Sequence, residues 1–363
     1  MSWQMLKLSD VCDVRRGTTI TEKQAIVGDI PVVAGGLSYS YKHNAANRTG
    51  KVITVSGSGA NAGYVNFWQE PIFASDCSTV QPKSDCVDIK FVYYFLKSKQ
   101  QFINSTLRSG AAQPHVYAKD IAQISIPLPP LAEQKRIAEI LDKAAAIKAK
   151  REQAIVKLDE LAHSMFVEMF GDVKSTNKWN RMKISSVSNV YTGKTPPTSN
   201  KENYADEVPF VTPTDLRGLI TSPARYVSKK GASLIKTVRK GSCLVGCIGD
   251  VGRVGYVNMP VTFNQQINAV EWNTDLVDDI FGYFLLKYME EVLKKTAVSA
   301  VVPILNKTNF SNISIPIPPI SEQRKFSEFV CNIWKIENTM KNEVGKNLLN
   351  SLQHQAFTTG FNA

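Results

Sequence analysis

Ile124-Ser-Ile-Pro-Leu-Pro-Pro-Leu-Ala-Glu-Gln-Lys135 returns 189 residues later as Ile313-Ser-Ile-Pro-Ile-Pro-Pro-Ile-Ser-Glu-Gln-Arg324. A repeat of this length marks a duplicated fold unit. Outward from it, Trp3 with Lys7-Leu8-Ser9 matches Trp179 with Lys183-Ile184-Ser185, and Val11, Val14, Gly17 and Thr19 match Val187, Val190, Gly193 and Thr195. Ile30-Pro31 matches Val208-Pro209, Gly63-Tyr-Val-Asn66 matches Gly255-Tyr-Val-Asn258, and Phe91, Tyr93, Leu96 and Lys97 match Phe281, Tyr283, Leu286 and Lys287. The offset drifts between 176 and 192 along these pairs, which places short insertions in loops of the second copy. Two long copies are too few for a solenoid, so the expectation is a pseudo-two-fold internal repeat.

Each copy changes character at its Pro-rich segment. Before it lie short apolar runs punctuated by Gly, Asn and Ser, such as 50–56, 63–68, 208–211 and 243–248, which read as strands and hairpins. One helical stretch interrupts them per copy, around Phe91–Ser98 and Asp279–Leu293. After Pro127, Pro129 and Pro130 comes Leu131–Phe170, free of Pro and Gly and rich in Ala, Lys, Glu, Leu and Ile. A long helix is expected there, with an apolar stripe at Ile137, Leu141, Ala144, Ile147, Ile155, Leu158, Ala162, Met165 and Met169. The second copy repeats it with Phe326, Val330, Ile333, Met340, Val344, Leu348 and Leu352, weakened at Gly345. About 38 helical residues at 1.5 Å each span roughly 57 Å, so the pair is expected to act as antiparallel coiled-coil spacers. The fold class is therefore α+β: two mixed α/β domains, 1–130 and 172–319, with spacer helices at 131–171 and 320–363.

The chain has 363 residues and a formal net charge of +11. Residues 1–130 carry 13 Lys/Arg against 9 Asp/Glu and residues 171–319 carry 18 against 12, whereas the helical segments are nearly neutral. Two separately basic globular segments point to two contacts with a polyanion. No apolar stretch approaches the length of a membrane span and no leader pattern is present, so a cytoplasmic protein is expected. Six cysteines contain no Cys-x-x-Cys pair and four histidines are available, so no metal site is expected.

Val52-Ile-Thr-Val-Ser-Gly57-Ser-Gly59-Ala-Asn-Ala62-Gly63 resembles a dinucleotide fingerprint, but that motif needs a following helix, and Tyr64–Trp68 reads as a strand. A glycine-rich hairpin is the better reading, and the equivalent segment Cys247–Gly255 shares it. Such a loop can approach a nucleic-acid backbone closely, which makes Ser56, Ser58, Asn61, Asp250 and Arg253 candidate contacts. Gly193-Lys194-Thr195 lacks the first glycine of a phosphate loop, since position 188 is Ser188, leaving Lys194 as a basic contact. Arg15-Arg16, Lys229-Lys230 and Arg239 form further basic clusters. Gln113, His115 and Tyr117 precede the first Pro-rich segment and suit base edges or phosphates, whereas the second copy has Val302-Pro303-Ile304. The two copies should then read different things. No Asn-Pro-Pro-Tyr, His-Glu-x-x-His, Gly-x-Ser-x-Gly or nuclease-type acidic motif is present, so no catalytic residue is assigned.

The doubled Ile-Pro-x-Pro-Pro-x-x-Glu-Gln-Lys/Arg, each copy followed by a long helix, with the first helix closing on Met165-Phe-Val-Glu-Met-Phe-Gly171-Asp172, resembles the specificity subunits of type I restriction-modification systems. The second helix departs from that ending with Phe357-Thr-Thr-Gly-Phe361. The resemblance implies target recognition domains at 1–130 and 172–319, each reading half of an asymmetric, interrupted sequence in double-stranded DNA. It also implies docking of two modification subunits that bring S-adenosylmethionine and methylate adenine, with two motor nuclease subunits able to join and with no cofactor in this chain. Two other readings stay open from the residues alone: a DNA-modifying enzyme with an unrecognised catalytic site, and a bracket that joins protein partners.

Overall fold

The computed structural model describes residues 3–110, 112–298, 302–343 and 347–358, the side chains of 342, 343, 347 and 348 excepted. Val344, Gly345 and Phe361 lie outside that set. The chain divides into two units, Met1–Gln153 with Lys341–Ala363, and Ala154–Met340.

Unit 1 opens with β1 (Gln4–Lys7), a single helical turn α1 (Leu8–Val11) and β2 (Cys12–Arg16), followed by β3 (Ile30–Val33), β4 (Tyr39–His43), β5 (Val52–Ser56), β6 (Val65–Trp68), β7 (Phe73–Ala74) and β8 (Cys77–Pro82). Helix α2 (Ile89–Ser98) leads through α3 (Gln100–Phe102), a π turn at Ile103–Leu107 and α4 (Ala118–Ala122) to β9 (Ser125–Leu128) and α5 (Leu131–Phe170). The strands form an antiparallel sheet of order β2-β8-β5-β6, a second sheet β4-β3-β7, and the pair β1-β9. All five residues of β5 are buried, because its side chains alternate between two cores. Ile53 and Val55 join the cluster around Phe91, Phe95 and Ile137, while Val52 joins a smaller one with Val33, Ile72 and Ala74. Thr54 is tolerated there because its hydroxyl accepts from Trp68 Nε1 at 2.9 Å.

Unit 2 repeats this plan with β10 (Arg181–Lys183), α6 (Ile184–Val187), β11 (Ser188–Thr192), β12 (Val208–Val211), β13 (Gly218–Ile220), β14 (Arg225–Val227), α7 (Lys229–Ser233), β15 (Thr237–Val238), β16 (Cys243–Gly246), β17 (Val254–Val257), β18 (Val261–Phe263) and β19 (Ile267–Trp272). Then come α8 (Asp279–Tyr288), α9 (Glu290–Thr296), α10 (Lys307–Ser311), β20 (Ser314–Pro316) and α11 (Ile320–Glu343); α12 (Asn347–Thr358) belongs to unit 1. Its sheets are β11-β19-β16-β17-β13, β14-β12-β18-β15 and β10-β20. Each large sheet is thus the unit 1 sheet plus one edge strand. The insertions expected as loops have in part become β13, paired parallel to β17, and β15, paired antiparallel to β18.

The Pro-rich segment is not wholly a hinge. Its first half is a strand, with Gln4, Met5, Leu6 and Lys7 opposite Leu128, Pro127, Ile126 and Ser125, and Arg181–Lys183 opposite Pro316–Ser314 in unit 2. A two-stranded ladder has only edges, where a proline without an N–H is tolerated. The strand pairing also corrects one echo. Thr54 faces Asn66 and its counterpart Leu244 faces Gly255, so Asn66 corresponds to Gly255 and Phe67 to Tyr256. The Gly-Tyr-Val-Asn match is therefore out of register; the true partner of Gly63 is Gly252, both in the left-handed region at φ 87° and 92°.

The Gln of each repeat explains why that motif persists. Gln134 is 1% exposed and its amide donates to Cys86 O (3.1 Å) and Pro129 O (2.8 Å) while accepting from Asp88 N (2.8 Å). Gln323 is fully buried and does the same with Leu276 O (3.0 Å), Pro318 O (2.7 Å) and Asp278 N (2.8 Å). Asp88 and Asp278 in turn cap α2 and α8, so one glutamine per unit ties the long helix to the start of the helix it packs on. In unit 1, Ile137 and Leu141 from the start of α5 share a core with Leu349, Leu352, Ala356 and Phe357 of α12. In unit 2, Phe166 and Phe170 from the end of α5 pack on Phe281 and Phe326, the Phe166–Phe281 pair stacked and the others edge-on. Ile147 departs from the expected stripe and is 46% exposed. Gly171 ends α5 at φ 80°, donating to Val167 O, and Asp172 accepts from Lys174 N and the Ser175 hydroxyl.

Candidate nucleic-acid interface

In unit 1 the glycine-rich segment is a loop between β5 and β6, closed by Gly63 N donating to Ser56 O (2.8 Å) and Ser56 N donating to Tyr64 O (3.0 Å). Pro114 and Val116 lie along it, with Gly59 N donating to Pro114 O (3.0 Å) and Val116 N to Gly57 O (2.9 Å). These bonds bring together residues far apart in sequence. Arg16, Asp76, His115 and Tyr117 line one shallow recess, and the His115 and Tyr117 rings lie nearly parallel, 11° apart with centroids at 6.1 Å. Tyr117 is 46% exposed, Gln113 is exposed, and Lys119 Nζ stands 5.7 Å from the Tyr117 ring. Cationic, aromatic and amide groups on one loop cluster suit phosphate contact and base-edge reading together.

Unit 2 uses the same backbone frame. Gly249 N donates to Pro303 O (3.0 Å), Leu305 N to Cys247 O (2.8 Å), and Ile304 bridges Ile248 and Val298 as His115 bridges Ser58 and Ser109. Gly17 N bonds Cys77 O and Thr18 N bonds Ala74 O; in unit 2, Gly193 N bonds Ile267 O and Lys194 N bonds Phe263 O. The side chains on this frame differ: Arg16, His115 and Tyr117 are replaced by Thr192, Ile304 and Asn306, and Thr18 by Lys194.

The other residues singled out from sequence fall into three groups. Lys194 is exposed on the loop after β11, Asn61 is half-buried in the unit 1 loop, and Arg253 with Asp250 forms an ion pair at 2.6 Å across the unit 2 loop. Arg15 pairs with Asp13 at 2.7 Å on an open face of β2. Ser56 is 3% exposed with its hydroxyl donating to Gly36 O, so it is scaffold for the loop rather than surface. Ser58 donates to the Asp76 carboxylate. Lys229 and Lys230 open α7, away from the loop, where Lys229 N donates to Glu207 and Lys230 pairs with Glu202. Arg239 is a structural clamp: its guanidinium makes two bonds to Asp279 (2.6 and 2.8 Å) and one to Trp272 O (3.1 Å). Burial raises the Asp279 carboxyl and the Arg239 contact opposes that shift.

Sequence reasoning missed Asp76 and Arg108. Arg108 Nη2 donates to Ala60 O and so holds the loop, yet 48 residues separate them and no local pattern marks the pair. Among the described residues no group of three His, Cys, Asp or Glu side chains is placed to hold a metal ion, and all six cysteines are unpaired. Burial pushes the Cys77 thiol up to about 12 and Cys247 to about 11, which makes both poor nucleophiles. No described helix is long and apolar enough to cross a membrane.

A family model described as the type I restriction modification DNA specificity domain matches residues 1–157 and again 176–346. The MjaVIII type I restriction enzyme specificity subunit of Methanocaldococcus jannaschii is 25% identical over 316 residues, covering 79% of this chain and 74% of its own length. In fold, the S subunit of a type I restriction-modification system from M. genitalium superposes with a TM-score of 0.64 at 20% identity, over 98% of this chain and 96% of that one. A second structure, described for complex assembly and conformational transition of the type I R-M system, gives a TM-score of 0.57 at 18% identity over 99% and 98% of the two chains.

Proposed function

This chain belongs to the type I restriction-modification DNA specificity family, and from that premise we propose that it is the DNA-reading subunit of such a complex. Unit 1 reads one half of an asymmetric, interrupted target in double-stranded DNA and unit 2 the other. The observation that carries this reading is the pair of loop clusters with one backbone frame and different side chains: Arg16, His115 and Tyr117 in one, Thr192, Ile304, Asn306 and Lys194 in the other. A shared frame lets each unit approach a duplex in the same way, and unlike side chains make the two half-sites unrelated. Of the residues named from sequence, Arg16, Asn61, Gln113, His115, Tyr117, Lys194 and Arg253 are the contacts this reading retains.

The chain performs no chemistry itself in this reading. Two modification subunits bring S-adenosylmethionine and transfer its methyl group to adenine, and two motor nuclease subunits can join them in the cytoplasm. Ile147, Val156, Leu161 and Val167 support a docking role for α5, since each is 41% to 58% exposed on one helix. The test is reconstitution. Purified chain plus a modification subunit should methylate adenine within one bipartite sequence; methylation by the chain alone would make it an enzyme, and DNA binding insensitive to sequence and salt would make it a protein bracket.

A further inference from the structure

Unit 1 contains an open cleft of about 710 Å³ between the end of α2 and α12, and unit 2 shows what fills the same place when the protein closes it. The two helix pairs correspond residue by residue, fixed by Phe357 packing on Phe91 (5.4 Å) as Phe166 packs on Phe281 (5.6 Å). On that correspondence the last residue of α8 is Tyr288 and the last residue of α2 is Ser98. The Tyr288 ring sits edge-on to His163 at 4.4 Å and to Phe166 at 5.0 Å. In unit 1, His354 and Phe357 stand in the places of His163 and Phe166, and with Ser98 in place of the tyrosine no described side chain fills the volume of the ring.

A charge is missing from unit 1 as well. Lys287 Nζ pairs with Asp159 at 2.6 Å in unit 2. The equivalent lysine, Lys97, has Asn350 at the position of that aspartate, donates to Val65 O at 2.9 Å and lies 3.9 Å over the Tyr64 ring, with no carboxylate in ion-pair reach among the described residues. Burial without a counter-charge lowers its ammonium to about 8. A third difference is Gln353, which occupies the position of the buried Ala162. Gln353 is 5% exposed and lines the cleft, so the polar group at this position borders the opening instead of packing as an alanine does.

We propose that this cleft docks a surface segment of a partner protein that presents an aromatic ring beside a carboxylate. The ring takes the place that Tyr288 fills in unit 2, packing edge-on against His354 and Phe357. The carboxylate supplies to Lys97 what Asp159 supplies to Lys287, and the backbone or side chain of the same segment meets Gln353. Among the described residues no Asp or Glu lines the cleft, whereas Lys97 and Lys99 do, so the complementarity is for a negative partner. A small free anion would meet Lys97 but leave the ring volume and the Phe357 wall uncovered, which is why a peptide segment is the occupant chosen.

The test uses the full chain and a displayed library of random heptapeptides, counter-selected on a Ser98→Tyr/Asn350→Asp variant that copies the unit 2 solution. The expected outcome is a consensus with Tyr, Phe or Trp adjacent to Asp or Glu, whose synthetic peptide binds the double variant and a Lys97→Gln variant about tenfold more weakly or worse. Lys97→Gln keeps the question open to measurement if the double variant misfolds by circular dichroism. Either of two results overturns the proposal: no acidic-aromatic consensus, or equal binding to all three proteins. Displacement of the peptide by millimolar inorganic phosphate alone would reassign the cleft to a free anion. Loss of DNA affinity in both variants would place the cleft in the DNA-reading surface, whereas unchanged DNA affinity with lost peptide binding separates this site from the proposed function.

Discussion

Replacing Gln134 with alanine tests the joint between the repeat motif and the fold. The substitution leaves Asp88 N–H, Cys86 C=O and Pro129 C=O without the partner that now meets all three at 2.8 to 3.1 Å in a place 1% exposed. A buried polar group left unpaired costs about 1–3 kcal/mol, and entering water recovers part of it, so the sum is about 3–5 kcal/mol. For a unit of this size each kcal/mol lowers the melting temperature by about 2–4 °C, so a loss on the order of 10 °C is expected. Two units need not melt together, so the assay is thermal unfolding combined with hydrogen exchange read by mass spectrometry, which assigns the loss to a unit. Exchange should rise first in 83–91 and the start of α5. Gln323→Ala should produce the same loss in unit 2 and spare unit 1. Gln134→Glu should be no better at neutral pH, because a carboxylate cannot donate to the two carbonyls, and should recover as acid restores a donating proton. A loss under about 1 kcal/mol for Gln134→Ala, or one divided evenly between the units, would refute this account of the motif.

Three further expectations follow from the same geometry. Arg16→Ala should weaken DNA binding evenly across sequences and reduce the salt dependence of binding by about one counterion, measured by titration at several salt concentrations. Arg239→Ala should destabilise unit 2 by about 1–2 kcal/mol after allowance for solvent screening, because it strands the half-buried Asp279, with DNA affinity falling only as far as folding does. The Asp172 carboxyl is held below the usual carboxylate range, first by the Lys174 N–H and then by the Ser175 hydroxyl. Its contribution is therefore present above the ordinary carboxylate pKa and lost as pH falls through the depressed value; Asp172→Asn should flatten that part of the stability profile against pH.

The long helix was legible because proline, glycine and periodicity are local signals: Pro130 and Gly171 bracket Leu131–Phe170 as the sequence suggests. The strands β5, β6, β12 and β16 were legible for the same reason. What escaped was pairing. Prolines at 127 and 316 argue against strands, yet β9 and β20 are edge partners whose missing N–H costs nothing. The Gly-Tyr-Val-Asn echo misled because register is set by the pleat and the buried face, not by shared letters. Of the loop cluster, His115 and Tyr117 could be proposed from residue type, but Asp76 and Arg108 reach the loop only through tertiary contacts. Arg239 looked like part of a basic surface, and its bidentate bond to Asp279, 40 positions away, removes it from that role.

In the proposed function one backbone frame, used twice with different side chains, reads two unrelated half-sites. The most direct measurement of this is a genome-wide map of methylated adenines in cells carrying this chain with a modification subunit, compared with the same map for His115→Ala/Tyr117→Ala. The expected map shows a single interrupted motif whose unit 1 half relaxes in the variant, by about 1–3 kcal/mol per base pair affected, while the other half is unchanged. Relaxation of both halves together, or methylation with no interrupted motif at all, would contradict it.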